Sequence, residues 1–204
     1  LSSFGQNKDF FLGLIIFQKA RTVRPFGEMS AFSPRPSLGA LQACVADSSK
    51  PVGQRMRAAY FLRQTYEEKS SEDGTRAAVV ACLGAALRDP QHGPLLRHEF
   101  AYVMGQLRDA RACDDLEAVL GDSEDDAMVR HEAAEALGAV GADRSLEPLR
   151  RGSEDPAIEV SETCSIALDH LKWQLRKGAA SEEPTVCACM TSPYSSVDPA
   201  PPHP

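Results

Sequence analysis

Apolar and polar positions follow a helical period through the middle of the chain, and the pattern returns four times. Aligned on their last apolar residues, the copies are "QRMRAAYFLRQ" from Gln54, "LRHEFAYVMGQ" from Leu96, "VRHEAAEALGA" from Val129 and "VSETCSIALDH" from Val160. His98 and His131 are 33 residues apart, and Val129 and Val160 are 31 apart. A period of that length is the signature of stacked repeats. Each unit reads as two helices. The outer helices are predicted at residues 38–47, 75–88, 110–120 and 144–151, and the inner ones at 53–66, 94–107, 127–140 and 157–176. Asp89-Pro90 and Asp155-Pro156 break the chain between helices, because proline disfavours the helical state of the residue before it. Gly141 is placed to end a helix in the left-handed conformation, and "GDSEDDA" at 121–127 reads as a solvated acidic turn.

One such helix pair cannot bury its apolar face alone, so neighbours must stack. The expected fold is all-α: a HEAT-like α-helical repeat solenoid of about four helix pairs, stacked with a right-handed turn. Ala59, Leu62, Ala101, Met104, Ala134 and Leu137 are the expected core between repeats, with Trp173 as a cap on the last helix. From Gly178 onward the text turns to serine, proline and small residues, and "SSVDPAPPHP" is expected to be extended and flexible. The chain is therefore divided into a non-domain or upstream segment at 1–36, a repeat domain at 37–177 and a linker or tail at 178–204.

Composition narrows this picture. Aromatics are 6% of residues, and Ala, Leu, Glu and Arg dominate the middle, which favours helices over sheets. The net charge of -7 argues against a nucleic-acid partner and suits a basic protein or an amine. Cys44, Cys82, Cys113 and Cys164 are scattered inside predicted helices without a paired framework, so a reducing, cytoplasmic compartment is expected. Cys187 and Cys189 form a C-x-C in the tail with no matching second pair, and read as incidental. The apolar run "FFLGLIIF" has eight residues, where a membrane-spanning helix needs about 20. Its flanks lack the marks of a signal peptide, so no membrane segment is expected. Met29 opens "MSAFSPRPSLGAL", a plausible natural start, and residues 1–28 are expected to be upstream sequence.

The chemistry lies in two copies of one dipeptide. His98-Glu99 and His131-Glu132 occupy the same turn of adjacent inner helices, while Met56-Arg57 and Glu162-Thr163 stand at the matching positions of the flanking repeats. Packed helices run about 8–10 Å apart, so the two imidazoles project from one surface and could grip one metal ion at about 2.1 Å each. Glu99 and Glu132 sit one residue on, rotated by about 100°, and either could add a carboxylate. Two histidines and a carboxylate form the ligand set of non-haem ferrous oxygenases. Glu135, four residues after His131, could accept a hydrogen bond behind the ligands. This is not the zinc-protease H-E-x-x-H helix, because Tyr102 and Glu135 stand where its second histidine would be. A single His-Glu near a helix start is ordinarily a solvated pair; two at equal phase, confined to the central repeats, are what a site requires. His92, His170 and His203 lack such company and read as surface residues.

"LLRHEFAYVMGQLRDARA", "MVRHEAAEALGAVG", "DPAIEVSETCSIALDHL" and the tail "YSSVDPAPP" resemble the deoxyhypusine hydroxylase family, HEAT-repeat di-iron monooxygenases, over roughly Leu38 to Pro202. The resemblance implies two half-solenoids face to face, each with two His-Glu motifs and with two ferrous irons between them. Those irons would activate dioxygen to hydroxylate the deoxyhypusine side chain of translation initiation factor 5A. It assigns His98, His131 and Glu132 to one iron and Glu99 to the amine of the substrate side chain. Only the amino-terminal half is recognisable. The expectation is a fragment with ligands for one iron of two, inactive without its carboxy-terminal half. The competing expectation is a metal-free HEAT scaffold that binds a basic protein.

Overall fold

The computed structural model describes residues 36–179, apart from Lys69, and among these residues every regular element is helical. Eight α-helices follow in order: α1 (Leu38–Ala46), α2 (Val52–Glu67), α3 (Asp73–Arg88), α4 (Gly93–Leu107), α5 (Cys113–Leu120), α6 (Ala127–Val140), α7 (Leu146–Gly152) and α8 (Ile158–Ala179). Consecutive helices pair, and the pairs stack into two layers. Helices α2, α4, α6 and α8 form the inner layer, and α1, α3, α5 and α7 the outer. The HEAT-like solenoid of four helix pairs is the observed architecture. The expectations for the first 35 residues, for Cys187 and Cys189, for His203 and for the proline-rich tail lie outside the described residues.

Helix boundaries follow local chemistry. Ser37, Asp89, Asp109, Asp126 and Asp155 each accept a hydrogen bond from a backbone N–H two or three residues on, satisfying donors that a helix start leaves open. Short 3-10 turns at Pro90–His92, Ala110–Ala112 and Asp143–Ser145 lead into α4, α5 and α7. The outer helices expected from 110 and 144 therefore begin three and two residues later as α-helix. Gly141 ends α6 at φ 76° as expected, and Arg108 ends α4 in the same left-handed region at φ 51°. That conformation costs a non-glycine residue about 1 kcal/mol, and it recurs here at the equivalent point of adjacent repeats.

The residue before each histidine ties the repeats together from behind. Arg97 forms a two-pronged pair with Asp125, with Nη1 2.6 Å from Oδ1, and its Nε donates to the Leu87 carbonyl at 2.6 Å. Arg130 repeats the two-pronged pair on Asp155, without the Nε bond to a carbonyl. Asp125 is therefore not the solvated acid expected of the 121–127 turn: it is largely buried against a guanidinium that holds its carboxyl below the usual range. In the first repeat Arg55 meets His92 Nδ1 at 2.6 Å instead. His92 is thus buried, with its ring edge-on to Phe100 at 5.5 Å, and the surface position expected from the sequence is corrected. His170 is only partly exposed, stacked on Trp173 at 6.0 Å.

All six residues expected in the core between repeats are buried. The inner layer is tightest at two glycines. A Cβ on Gly105 would lie 2.9 Å from Ala136 Cα, and one on Gly138 would lie 2.9 Å from Ala167 Cβ. Backbone therefore meets a small residue directly where α4 crosses α6 and where α6 crosses α8. Gly105→Val should lower the melting temperature. Overpacking there costs about 1–3 kcal/mol, against a gain in helix propensity of about 0.5 kcal/mol. A variant as stable as the parent would show that the two helices separate freely.

Candidate metal and amine site

Close inner-layer packing brings the two central His-Glu pairs together. The ring centroids of His98 and His131 are 6.1 Å apart and tilted by 30°. Glu132 lies between them, with Oε2 3.0 Å from His98 Nε2 and 3.8 Å from His131 Nε2. One ligand atom from each of His98, His131 and Glu132 falls within 4.8 Å of the others, and this is the one such group of three among the described residues. Ligands sharing an ion at about 2.1 Å can stand no more than about 4.2 Å apart, so small side-chain adjustments suffice. The donor set fits a first-row divalent ion with open positions.

The site is deeper than a pair on the surface of the stack. The side chains of His131 and Glu132 are 6% and 3% exposed, and that of His98 is 21% exposed. A carboxylate buried this far needs a charged or hydrogen-bonding partner, and His98 is that partner. Burial works against protonation of His98. The hydrogen bond to Glu132 and the charges of Glu132, Glu99 and Glu135 outweigh it, and the pKa is raised. His131 goes the other way: burial holds its pKa down, reinforced by His98 and only partly opposed by Glu132. The two imidazoles are thus unlike, one inclined to carry a proton and one neutral.

Two neighbours were not foreseen as part of the site. Thr163 Oγ1 lies 2.9 Å from His131 Nδ1, and both groups are buried. That contact orients the ring with Nε2 toward Glu132, as a partner behind a ligating histidine does. Thr163 occupies in the fourth repeat the position of Glu99 and Glu132, a correspondence visible in the sequence but read there only as the lack of a pair. On the other side, the Tyr60 hydroxyl donates to Glu99 Oε2 at 3.0 Å. Glu99 itself stands apart from the group of three, at the half-open edge, with Oε1 3.9 Å from His98 Nδ1. Glu135, expected behind the ligands, is half-buried near them. Burial and the charge of Glu132 push its carboxyl up to about 7, against the pull of His98.

Metal binding requires both imidazoles as free bases. His131 is already inclined to be neutral, and His98 must give up a proton. Because the His98 pKa is raised above its ordinary 6.5, affinity for a divalent metal should climb with pH through a midpoint above 6.5. Below that midpoint, release of one proton implies about a tenfold gain per pH unit. Anaerobic titrations giving a flat profile from about pH 6 to 8 would take the competing proton away from His98.

Comparison with known proteins accords with these repeats. Residues 86–169 match the model for HEAT repeats. The chain is 43% identical over 163 residues to deoxyhypusine hydroxylase of Gallus gallus, covering 80% of this chain and 48% of that protein. The Homo sapiens enzyme of the same name is 42% identical over 163 residues, covering 80% and 48%. The Drosophila melanogaster enzyme is 39% identical over 163 residues, with the same coverage. The solved structure of human deoxyhypusine hydroxylase in complex with glycerol superposes with a TM-score of 0.63 at 40% identity, covering 81% of this chain and 51% of that one. The resemblance carried by the His-Glu repeats thus extends along four fifths of the chain, and the chain spans about half the length of the curated relatives that it matches.

Proposed function

We propose that this chain, a HEAT-repeat solenoid similar along four fifths of its length to about half of deoxyhypusine hydroxylase, supplies the amino-terminal half of an iron-dependent monooxygenase. Its substrate is the deoxyhypusine side chain of translation initiation factor 5A, which it hydroxylates to hypusine. The observation that carries this reading is the convergence of His98, His131 and Glu132 from two adjacent repeats. In this reading they hold one Fe(2+) of the two in a complete enzyme, and a carboxy-terminal half with its own His-Glu pairs provides for the other. Ferrous iron bound by two histidines and a carboxylate supplies dioxygen activation.

The chain's own residues then have distinct tasks. Glu132 has the His98 imidazole as its partner at 3.0 Å, and would exchange that contact for the metal on ligation. His131 is held ready by Thr163. Glu99, at the more open edge, faces the ammonium of the substrate side chain, since a carboxylate pairs with a protonated alkylamine through charge-assisted hydrogen bonds. A metal-free scaffold that binds a basic protein gives no account of an acid and two imidazoles buried together, because such groups cost desolvation and add nothing to an exposed docking face. Among the described residues no helix is long and apolar enough to cross a membrane. The free thiols of Cys44, Cys82, Cys113 and Cys164 are in keeping with a cytoplasmic setting.

Iron per chain, measured after anaerobic loading, is the deciding quantity. About one iron per chain is expected, as for one site of two histidines and a carboxylate, falling to near zero in His131→Ala with helical content largely retained. Equal iron in the variant and the parent would contradict the site. Glu99→Ala should keep its iron and weaken the amine substrate once the complementary half is added. Loss of iron with substrate binding intact would reverse the assigned roles.

A further inference from the structure

The first repeat carries no His-Glu pair, yet it touches the site. Tyr60 stands one turn after Met56 on α2, and its phenol reaches across to the second repeat to donate to Glu99 Oε2 at 3.0 Å. Burial, the charge of Glu99 and the hydrogen bond to it all raise the Tyr60 pKa, so the phenol stays a donor throughout the physiological range. The other carboxylate oxygen, Oε1, is 3.9 Å from His98 Nδ1, beyond hydrogen-bond distance. Glu99 is therefore fixed through one oxygen and open through the other, and its side chain is 21% exposed. The Arg63 guanidinium, one turn further along α2, lies 6.0 Å from the centroid of the Tyr60 ring and is engaged by Gln106, which helps to hold the ring in place.

We propose that Tyr60 is a positioning residue for amine recognition: it pins Oε2 of Glu99 so that Oε1 is presented to an alkylammonium group of the substrate. This deepens the amine-facing reading of Glu99 and rests on it. A free glutamate side chain must be ordered before it can pair with an ammonium, and ordering costs rotamer entropy. Tyr60 makes that ordering part of the fold, so less affinity is lost on binding. No metal ligand is involved. Tyr60 touches the carboxylate that the iron reading leaves free.

The test is a double-mutant cycle on the full chain, with spermidine as the ammonium probe, read by calorimetric titration of the parent, Tyr60→Phe, Glu99→Gln and the double variant. Phenylalanine keeps the ring and removes only the hydroxyl, and melting temperature and ferrous-iron affinity serve as controls. Tyr60→Phe should bind spermidine about tenfold more weakly, the scale of one hydrogen bond to a charged group, with ferrous-iron affinity unchanged and the melting transition lowered by no more than that one bond. The double variant should be no weaker than Glu99→Gln alone, a coupling that a general structural defect would not produce. Parent-like binding by Tyr60→Phe while Glu99→Gln is weak would overturn the role of Tyr60 and leave that of Glu99 standing. So would an equal loss in the Glu99→Gln background, which would mean that Tyr60 acts on the amine by itself. A parent that does not bind spermidine, or a Glu99→Gln variant that binds it as the parent does, would overturn the amine-facing reading of Glu99 and the proposal with it.

Discussion

Gly105 and Gly138 lie two turns after His98 and His131, and each faces an alanine of the next inner helix at a separation that no Cβ would permit. Interaxial distance in packed helices is set by the side chains at the crossing, so a glycine on an alanine brings α4 and α6, and then α6 and α8, close together. Everything at the other end of those helices follows from that distance. Glu132 reaches His98 across one crossing, and Thr163 reaches His131 across the next. The matching residues of the outer repeats are Arg63 and Asp169, which cannot make such a contact. Close approach is thus confined to the repeats that carry the His-Glu pairs and to the neighbour that supports them.

Charge is sorted by register around the same helices. The arginine before each histidine points to the back of the stack and locks the turn ahead of the next repeat, through Asp125 and Asp155. The glutamate after each histidine points to the opposite side, toward the preceding repeat. Three successive residues therefore face three ways: to the back of the stack, to the candidate site, and to the preceding repeat. The arrangement separates buried cations from the buried carboxylate of Glu132, so that its partner is His98 rather than an arginine.

Most of the fold was legible because it depends on local signals. Apolar period, Asp-Pro breaks and the 33-residue spacing placed the helices within a few residues, and α6 fell at its expected limits of 127–140. The meeting of His98 and His131 was legible for the same reason, since equal phase in stacked repeats means one surface, while the choice of Glu132 over Glu99 came from the family resemblance. What escaped depends on offset register. The position after the histidine in one repeat meets the histidine of the repeat before it, which is how Thr163 reaches His131. The position one turn later meets the glutamate of the repeat after it, which is how Tyr60 reaches Glu99. Comparing equivalent positions shows what the flanking repeats lack, but not what they contribute one step out of phase. The burial of His92 and Asp125 escaped for a related reason: each is held by an arginine 37 or 28 residues away, and a turn read alone looks solvated.

The offset gives the site a direction. At the fourth-repeat end Thr163 closes the buried side of His131, and at the first-repeat end Glu99 stays partly open beside Tyr60. A metal belongs where His131 and Glu132 are dry and fixed, and a mobile, charged side chain belongs where one carboxylate oxygen still meets solvent. On the proposed reading the substrate's ammonium is held at the open end, beside the group of three. One solenoid, by staggering unlike side chains at like positions, thus sets a group of two imidazoles and a carboxylate beside a second, partly open carboxylate.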